Sequence, residues 1–148
     1  MTLGIYTSAD DTTVLSTDSE FTHPFAVTFD GRTGGYKEIQ LFVRNNDTTK
    51  FYSGVTLSLE DTTPKNITTN TAEGFAWKLS AGDTKPTLND WLNTAAGNTI
   101  ALDNIGATGD PDISTFLPFW IFIEIPQGLS VQLFTDVKFV LAGDENLV

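Results

Sequence analysis

The side chains able to do chemistry are few, and they are the first thing the sequence constrains. His23 is the single imidazole. It stands beside Pro24, and no Gly-x-Ser-x-Gly elbow presents a serine to it, so it reads as a structural histidine. Cysteine is absent, which removes thiolate nucleophiles, disulfides and Cys-based zinc sites together. Carboxylates are plentiful. Asp10 and Asp11 are adjacent, Asp110 and Asp112 flank Pro111, and Glu124 has Phe122 and Trp120 two and four residues before it. A glycosidase-type pair needs two acids across a cleft, one of them in an apolar pocket that raises its pKa. Only Glu124 has apolar neighbours, and Asp110 or Asp112 would have to meet it from elsewhere in the fold. Oxygen-rich loops suit hard cations, and Asp103-Asn104 with Asp110-Pro111-Asp112 offers a weak calcium pattern without an Asp-x-Asp-x-Asp-Gly loop. The segment Gly31-Arg32-Thr33-Gly34-Gly35 lacks the lysine and the following helix of a phosphate loop. The expectation is no enzyme, no resident metal and no cofactor.

Aromatic groups offer binding instead of catalysis. Of the three tryptophans, Trp77 alternates with Phe75 and Leu79 and reads as core. Trp91 either caps one end of the fold or is exposed. Trp120 is the best interface candidate, because its strand is already apolar on the opposite side, and aromatic residues are enriched in buried contact cores. Exposed Trp91 and Trp120 would also make a platform on which sugars stack. The Asn-x-Thr triplets at Asn46 and Asn66 would accept glycans only in a secreted chain. The first residues, Met1-Thr2-Leu3-Gly4-Ile5, show neither a basic nor an apolar signal region, so no export is expected.

The elements that must position these groups are strands. In residues 37–44, Ile39, Leu41 and Val43 share one face, a period of two. Asn45-Asn46-Asp47 gives a turn, and residues 53–60 alternate again with Val55, Leu57 and Leu59 inward. The two runs read as neighbouring antiparallel strands. Residues 74–80 repeat the pattern, and 81–86 form a loop. Residues 87–93 suit a short helical plug with Thr87 as N-cap, 99–102 a weak strand, and 106–111 a turn. The run Phe119-Trp120-Ile121-Phe122-Ile123-Glu124-Ile125 is apolar on both faces, which predicts a central strand or one covered by another subunit. Gln127-Gly128 turns the chain. The alternations at Leu129, Val131 and Leu133, and at Val137, Phe139 and Leu141, read as two last strands or one strand bulged around Thr135-Asp136. Residues 1–35 read as a polar N-terminal arm or edge hairpin, with apolar islands at Val14-Leu15 and in 25–29. Residues 36–148 read as one antiparallel β-sandwich or jelly-roll-like domain.

Composition narrows the partners. The chain has 148 residues, 40% apolar and 11% aromatic, with 19 acidic against 8 basic residues and a net charge of -11. One domain of this size holds an adequate core. The acid excess cannot displace the counterions of a nucleic acid, and it disfavours anionic membranes. No apolar run reaches the roughly 18 residues of a spanning helix.

A family resemblance adds to this reading. Ile39-Gln40-Leu41-Phe42-Val43-Arg44-Asn45-Asn46-Asp47 with Tyr52-Ser53-Gly54-Val55-Thr56-Leu57 resembles the opening hairpin of β-sandwich virion proteins of tailed bacteriophages. Trp77-Lys78-Leu79 before Gly82-Asp83, Leu117-Pro118-Phe119-Trp120-Ile121 and Glu124-Ile125-Pro126 continue it. It runs from about residue 37 to the end and leaves the first 35 residues outside. The resemblance implies a head-decoration or cement protein, made in the host cytoplasm and bound to the capsid surface. It further implies a homotrimer with the major capsid protein as partner. On that basis the expected interface residues are Trp120, Phe122, Leu3, Ile5, Tyr6, Val14 and Leu15. The alternatives are a tail, neck or baseplate accessory domain, or a carbohydrate-binding module.

Overall fold

The computed structural model describes residues 3–9, 14–16, 32–61, 76–125, 127–128 and 137–148. His23, Asp10, Asp11, Asn66, Phe75, the island at 25–29 and the run at 129–136 lie outside the described residues. Strands β1 (Leu3–Tyr6), β2 (Val14–Ser16), β3 (Gly35–Asn45), β7 (Leu117–Ile125) and β5 (Ala76–Ala81) form a five-stranded sheet in the order β2-β1-β3-β7-β5. Strands β6 (Ile100–Ala101), β4 (Lys50–Asp61) and β8 (Val137–Leu147) form a three-stranded sheet in the order β6-β4-β8. A five-residue helix, α1 (Leu88–Leu92), interrupts the strands. All described pairings are antiparallel. The chain is an all-β, sandwich-like domain.

Alternation places the core between the sheets. Register sets Ile39 opposite Ile121 and Leu41 opposite Phe119, while β5 brings Leu79 to the other side of Ile121. From the second sheet, Leu57 lies opposite Leu141 and Leu59 opposite Phe139. Side chains of both sheets join one buried cluster, with the Phe119 and Phe139 rings meeting edge-on at 6.0 Å across it. Such two-sheet interdigitation is the usual way to bury the inward face of every strand at once.

The structure corrects the expected pairing of the runs around 37–44 and 53–60. They are not neighbours: β3 lies between β1 and β7, and β4 belongs to the other sheet. Period-two alternation reports which face is buried, and both strands bury a face into the same core. It does not report the partner. The turn at 45–49 therefore crosses from one sheet to the other, and Asn45 organises the crossing. Its side chain is fully buried. Nδ2 donates to the carbonyls of Pro111 at 2.7 Å, Lys50 at 2.8 Å and Asp47 at 3.1 Å, and Oδ1 accepts from the Asp47 N–H at 2.8 Å. Two amide hydrogens serve three carbonyls, so one is shared.

The outer edge of β5 is closed by a side chain acting as a strand. Asn98 Oδ1 accepts from the Leu79 N–H at 2.8 Å, and its Nδ2 donates to the Leu79 carbonyl at 2.9 Å. That occupies the main-chain groups an edge strand would otherwise offer to another chain.

Replacing Asn45 by Ala strands three carbonyls at a buried corner. A loss of about 3 kcal/mol of unfolding free energy is expected, measured by urea denaturation at neutral pH, with a smaller loss for a surface control such as Asn89→Ala.

Candidate functional site

The outer face of the five-stranded sheet carries most of the unusual chemistry. Here β7 presents Pro118, Trp120, Phe122 and Glu124, while β3 presents Tyr36, Glu38, Gln40 and Phe42 opposite them. This is the second apolar face read from the sequence, and its cover comes from within the chain. The Phe122 ring is sandwiched between Tyr36 and Trp91, both stacked at 5.3 Å. Trp91 comes down from α1 and is fully buried. Its indole N–H donates to Glu38 Oε2 at 3.0 Å, and Lys78 Nζ donates to the Trp91 carbonyl at 2.7 Å. Lys85 completes the group, 3.4 Å from Glu38 Oε1. The helix is short, but its start is well specified. Thr87 accepts from the Asp90 N–H while the Asp90 carboxylate accepts from the Thr87 N–H, a reciprocal capping box.

A second aromatic group covers the other end of that face. Phe116 meets Tyr6 edge-on at 5.6 Å and Phe42 at 6.4 Å. The Arg44 guanidinium lies 5.1 Å above the Phe116 ring, and its Nε donates to the Ile113 carbonyl. The Tyr6 hydroxyl donates to Asn46 Oδ1 at 2.8 Å.

The residues expected at an interface are placed by these contacts. Leu3 and Ile5 are buried in the core between the sheets. Tyr6 and Phe122 are 3% and 2% exposed, consumed by the chain's own aromatic stacks. Trp120 is half-buried, and its indole N–H donates to the Asp83 carbonyl at 3.0 Å. Val14 and Leu15 lie on β2, paired with β1 at the sheet edge. A stacking platform of Trp91 and Trp120 does not exist, since Trp91 has no exposed surface. Among the described residues, the large apolar side chains that face solvent are Leu88 (49%) and Leu92 (68%) on α1, Tyr36 in the Phe122 stack, Ile113, and Leu147 and Val148 at the end of the chain. Alternation could not flag Leu88 and Leu92, because a single helical turn has no face pattern to read.

Among the described residues, Glu124 stands far from Asp110 and Asp112. Glu124 lies opposite Tyr36 in register, whereas the 110–114 segment is tied to the Arg44 end of β3. Eight residues of β3 separate Tyr36 from Arg44, about 26 Å at 3.3 Å per residue. Paired glycosidase carboxylates stand roughly 5–9.5 Å apart. Asp110 Oδ1 accepts from the Asp112 N–H, and Asp112 Oδ1 accepts from Ser114 Oγ and the Thr115 N–H. Among the described residues no group of three or more His, Cys, Asp or Glu side chains converges on a common point. Asp103 lies elsewhere, on a groove of about 360 Å³ at the mouth between the sheets. Asp83 also lines that groove, with Ala81, Leu102, Leu117 and Pro118. Among the described residues no helix is long and apolar enough to cross a membrane.

Comparison with known proteins finds no family model and no curated relative that matches the chain.

Hydrogen bonds from Thr115, with lesser help from Ser114, hold the Asp112 carboxyl below the usual aspartate value of 3.8. A lowered folded pKa stabilises the fold fully above that usual value, and the contribution disappears as pH falls through the folded value. Asp112 also sits at φ 46°, a conformation Asn tolerates as well as Asp. Asp112→Asn should therefore lower stability at pH 7 and flatten the loss between about pH 5 and pH 2. Thermal midpoints measured across that range check both outcomes; an unchanged acid limb would contradict the assignment.

Proposed function

We propose that this chain is a non-enzymatic structural protein of a tailed-phage particle, most specifically a decoration protein that binds the outer surface of the capsid and stabilises it. The sequence resemblance across residues 37–148 suggests the class, and one feature of the fold carries the reading. Helix α1 is fixed by Trp91, Glu38, Lys78 and its capping box, and it holds Leu88 and Leu92 outward on this rigid base. Apolar side chains presented from a fixed backbone spare the cost of ordering that backbone on docking, so they suit a protein whose work is contact. A ligand that binds only the assembled shell stabilises it by mass action, and several copies bridging several subunits multiply modest contacts through avidity. A homotrimer at three-fold positions on the major capsid protein fits that arithmetic. The alternative particle location is the tail, neck or baseplate. The carbohydrate-binding alternative loses its support with the burial of Trp91.

The test is addition of purified protein to expanded shells and, separately, to tails, with native mass measured by light scattering. Saturable binding to shells by an oligomer is expected. Leu88→Ser with Leu92→Ser should leave the unfolding midpoint nearly unchanged and weaken binding at least tenfold, about 1.4 kcal/mol. A strict monomer that ignores shells would sink the proposal, and binding confined to tails would move the protein to the other end of the particle.

A further inference from the structure

Residues 82–98, most of the connection from β5 to β6, lie across the outer face of the five-stranded sheet as a strap. Both ends are tied down. At the first end the Gly82 N–H donates to the Pro118 carbonyl at 3.1 Å, and the Asp83 carbonyl accepts from the Trp120 indole at 3.0 Å. At the other, the Gly97 N–H donates to the Trp77 carbonyl at 2.7 Å, and the Asn98 side chain pairs with Leu79. Between these ends Trp91 alone is buried. Among the described residues, each hydrogen bond or ion pair from residues 84–96 to the sheet runs through Trp91 or Lys85. Glu38, itself largely buried, serves both. Its Oε2 accepts from the Trp91 indole at 3.0 Å, and its Oε1 lies 3.4 Å from Lys85 Nζ. The remaining bonds of the segment stay inside it, between Thr87 and Asp90, Thr94 and Asp90, and Asn93 and Asn89. Trp91 and its stacking partner Phe122 are buried outside the cluster that fills the space between the sheets.

We infer that this strap opens as a unit while the sandwich stays folded, with Trp91 as its pin and Glu38 as its latch, so that α1 presents Leu88 and Leu92 only while Trp91 is seated. A segment with one buried side chain and outward-facing backbone bonds opens at a free energy below that of global unfolding. Lifting it breaks the Trp91–Phe122 stack, the indole bond, the Lys78 bond and the Lys85 pair. The core between the sheets loses nothing. The tied ends give the motion its hinges, and each carries a glycine in the left-handed region, Gly82 at φ 101° and Gly97 at φ 71°. Such positions absorb backbone rotation at little cost. The closed strap predominates, because opening brings two large aromatic surfaces into water together. A partner that binds only the closed form loses affinity in proportion to the fraction open. That the closed strap is the binding form rests on the docking role proposed for Leu88 and Leu92; the opening itself does not.

Hydrogen exchange of the intact folded chain, followed by NMR at low urea concentrations, tests the inference on the Trp91 indole N–H. The references are the Ile121 and Ile123 amides of β7, a strand paired on both sides. Indole protection at least tenfold below theirs is expected, and nearly flat in urea where theirs falls steeply. Asn45→Ala, at a corner that bonds no strap residue, should speed exchange at Ile121 and Ile123 and leave the indole unchanged. Glu38→Leu should speed the indole at least tenfold, the scale of a lost bond to a charged acceptor. An indole that shares the protection and urea slope of Ile121, that follows Asn45→Ala, or that shows no protection at all would overturn the strap. Trp91→Ala keeps both leucines and removes the pin. Its binding to expanded shells should fall at least tenfold while Ile121 and Ile123 stay protected, and undiminished binding would overturn the dependence of α1 on Trp91. Local opening in a chain that ignores shells removes the assembly reading alone, and shell binding without local opening removes the strap alone.

Discussion

A buried amide sets the path of this chain. Asn45 ends β3 inside the protein, where three carbonyls from three segments point at one place, and only a side chain that both donates twice and accepts can satisfy the corner. An aspartate there could not donate, and a leucine of similar size would leave the carbonyls of Asp47, Lys50 and Pro111 without partners at the cost of their desolvation. The geometry also ties together parts far apart in sequence. Lys50 opens β4 in one sheet, β3 belongs to the other, and Pro111 anchors the segment that runs on to Phe116 and β7. Once Asn45 is fixed, β3 and β4 are committed to opposite sheets, and the core between them follows from their alternation.

The second determinant is the two-sided apolarity of β7. A strand with Phe119, Ile121 and Ile123 on one face and Trp120 and Phe122 on the other must be covered twice. The core covers the first face. For the second, the connection between β5 and β6 folds back over the sheet, and the Tyr36-Phe122-Trp91 stack closes it. The polar atoms brought along are matched as they arrive: the Trp91 indole to Glu38, the Trp91 carbonyl to Lys78, the Trp120 indole to the Asp83 carbonyl. The cost of burying tryptophan N–H groups is thereby offset within the same loop. This is why a strand whose two apolar faces admit either a central position or a covering subunit is central here and largely covered from within the chain.

How much of this was legible follows from what period and local chemistry can encode. The inward faces of β3, β4, β5 and β7 were readable because alternation is a property of each strand alone. The helix start at Thr87 was readable because a cap is satisfied within three residues. Strand partners were not. Asn45-Asn46-Asp47 has the composition of a hairpin turn, yet a turn within one sheet and a crossing between two use the same residues. What decides between them is the Pro111 carbonyl, 66 positions away in sequence. The same limit hid Glu38 as the partner of Trp91 and hid the shared groove of Asp83 and Asp103, since each joins segments that only the tertiary fold brings together.

The placement of charge completes the argument. The aspartates of the described loops are not surplus: Asp47, Asp90, Asp110 and Asp112 each accept from main-chain N–H groups two or three residues away, which stiffens turns between strands. Acidity and rigidity therefore have one source, because the side chains that fix the turns are the ones that make the surface negative. Asp83 and Asp103 differ from that pattern. The Asp83 carboxylate accepts from Gln40 Nε2 on β3, and Asp103 follows Leu102, whose N–H donates to the Val55 carbonyl. The scaffold that spends its acids on its own turns also locks a single helical turn in place, and that is why Leu88 and Leu92 stand outward on a fixed backbone.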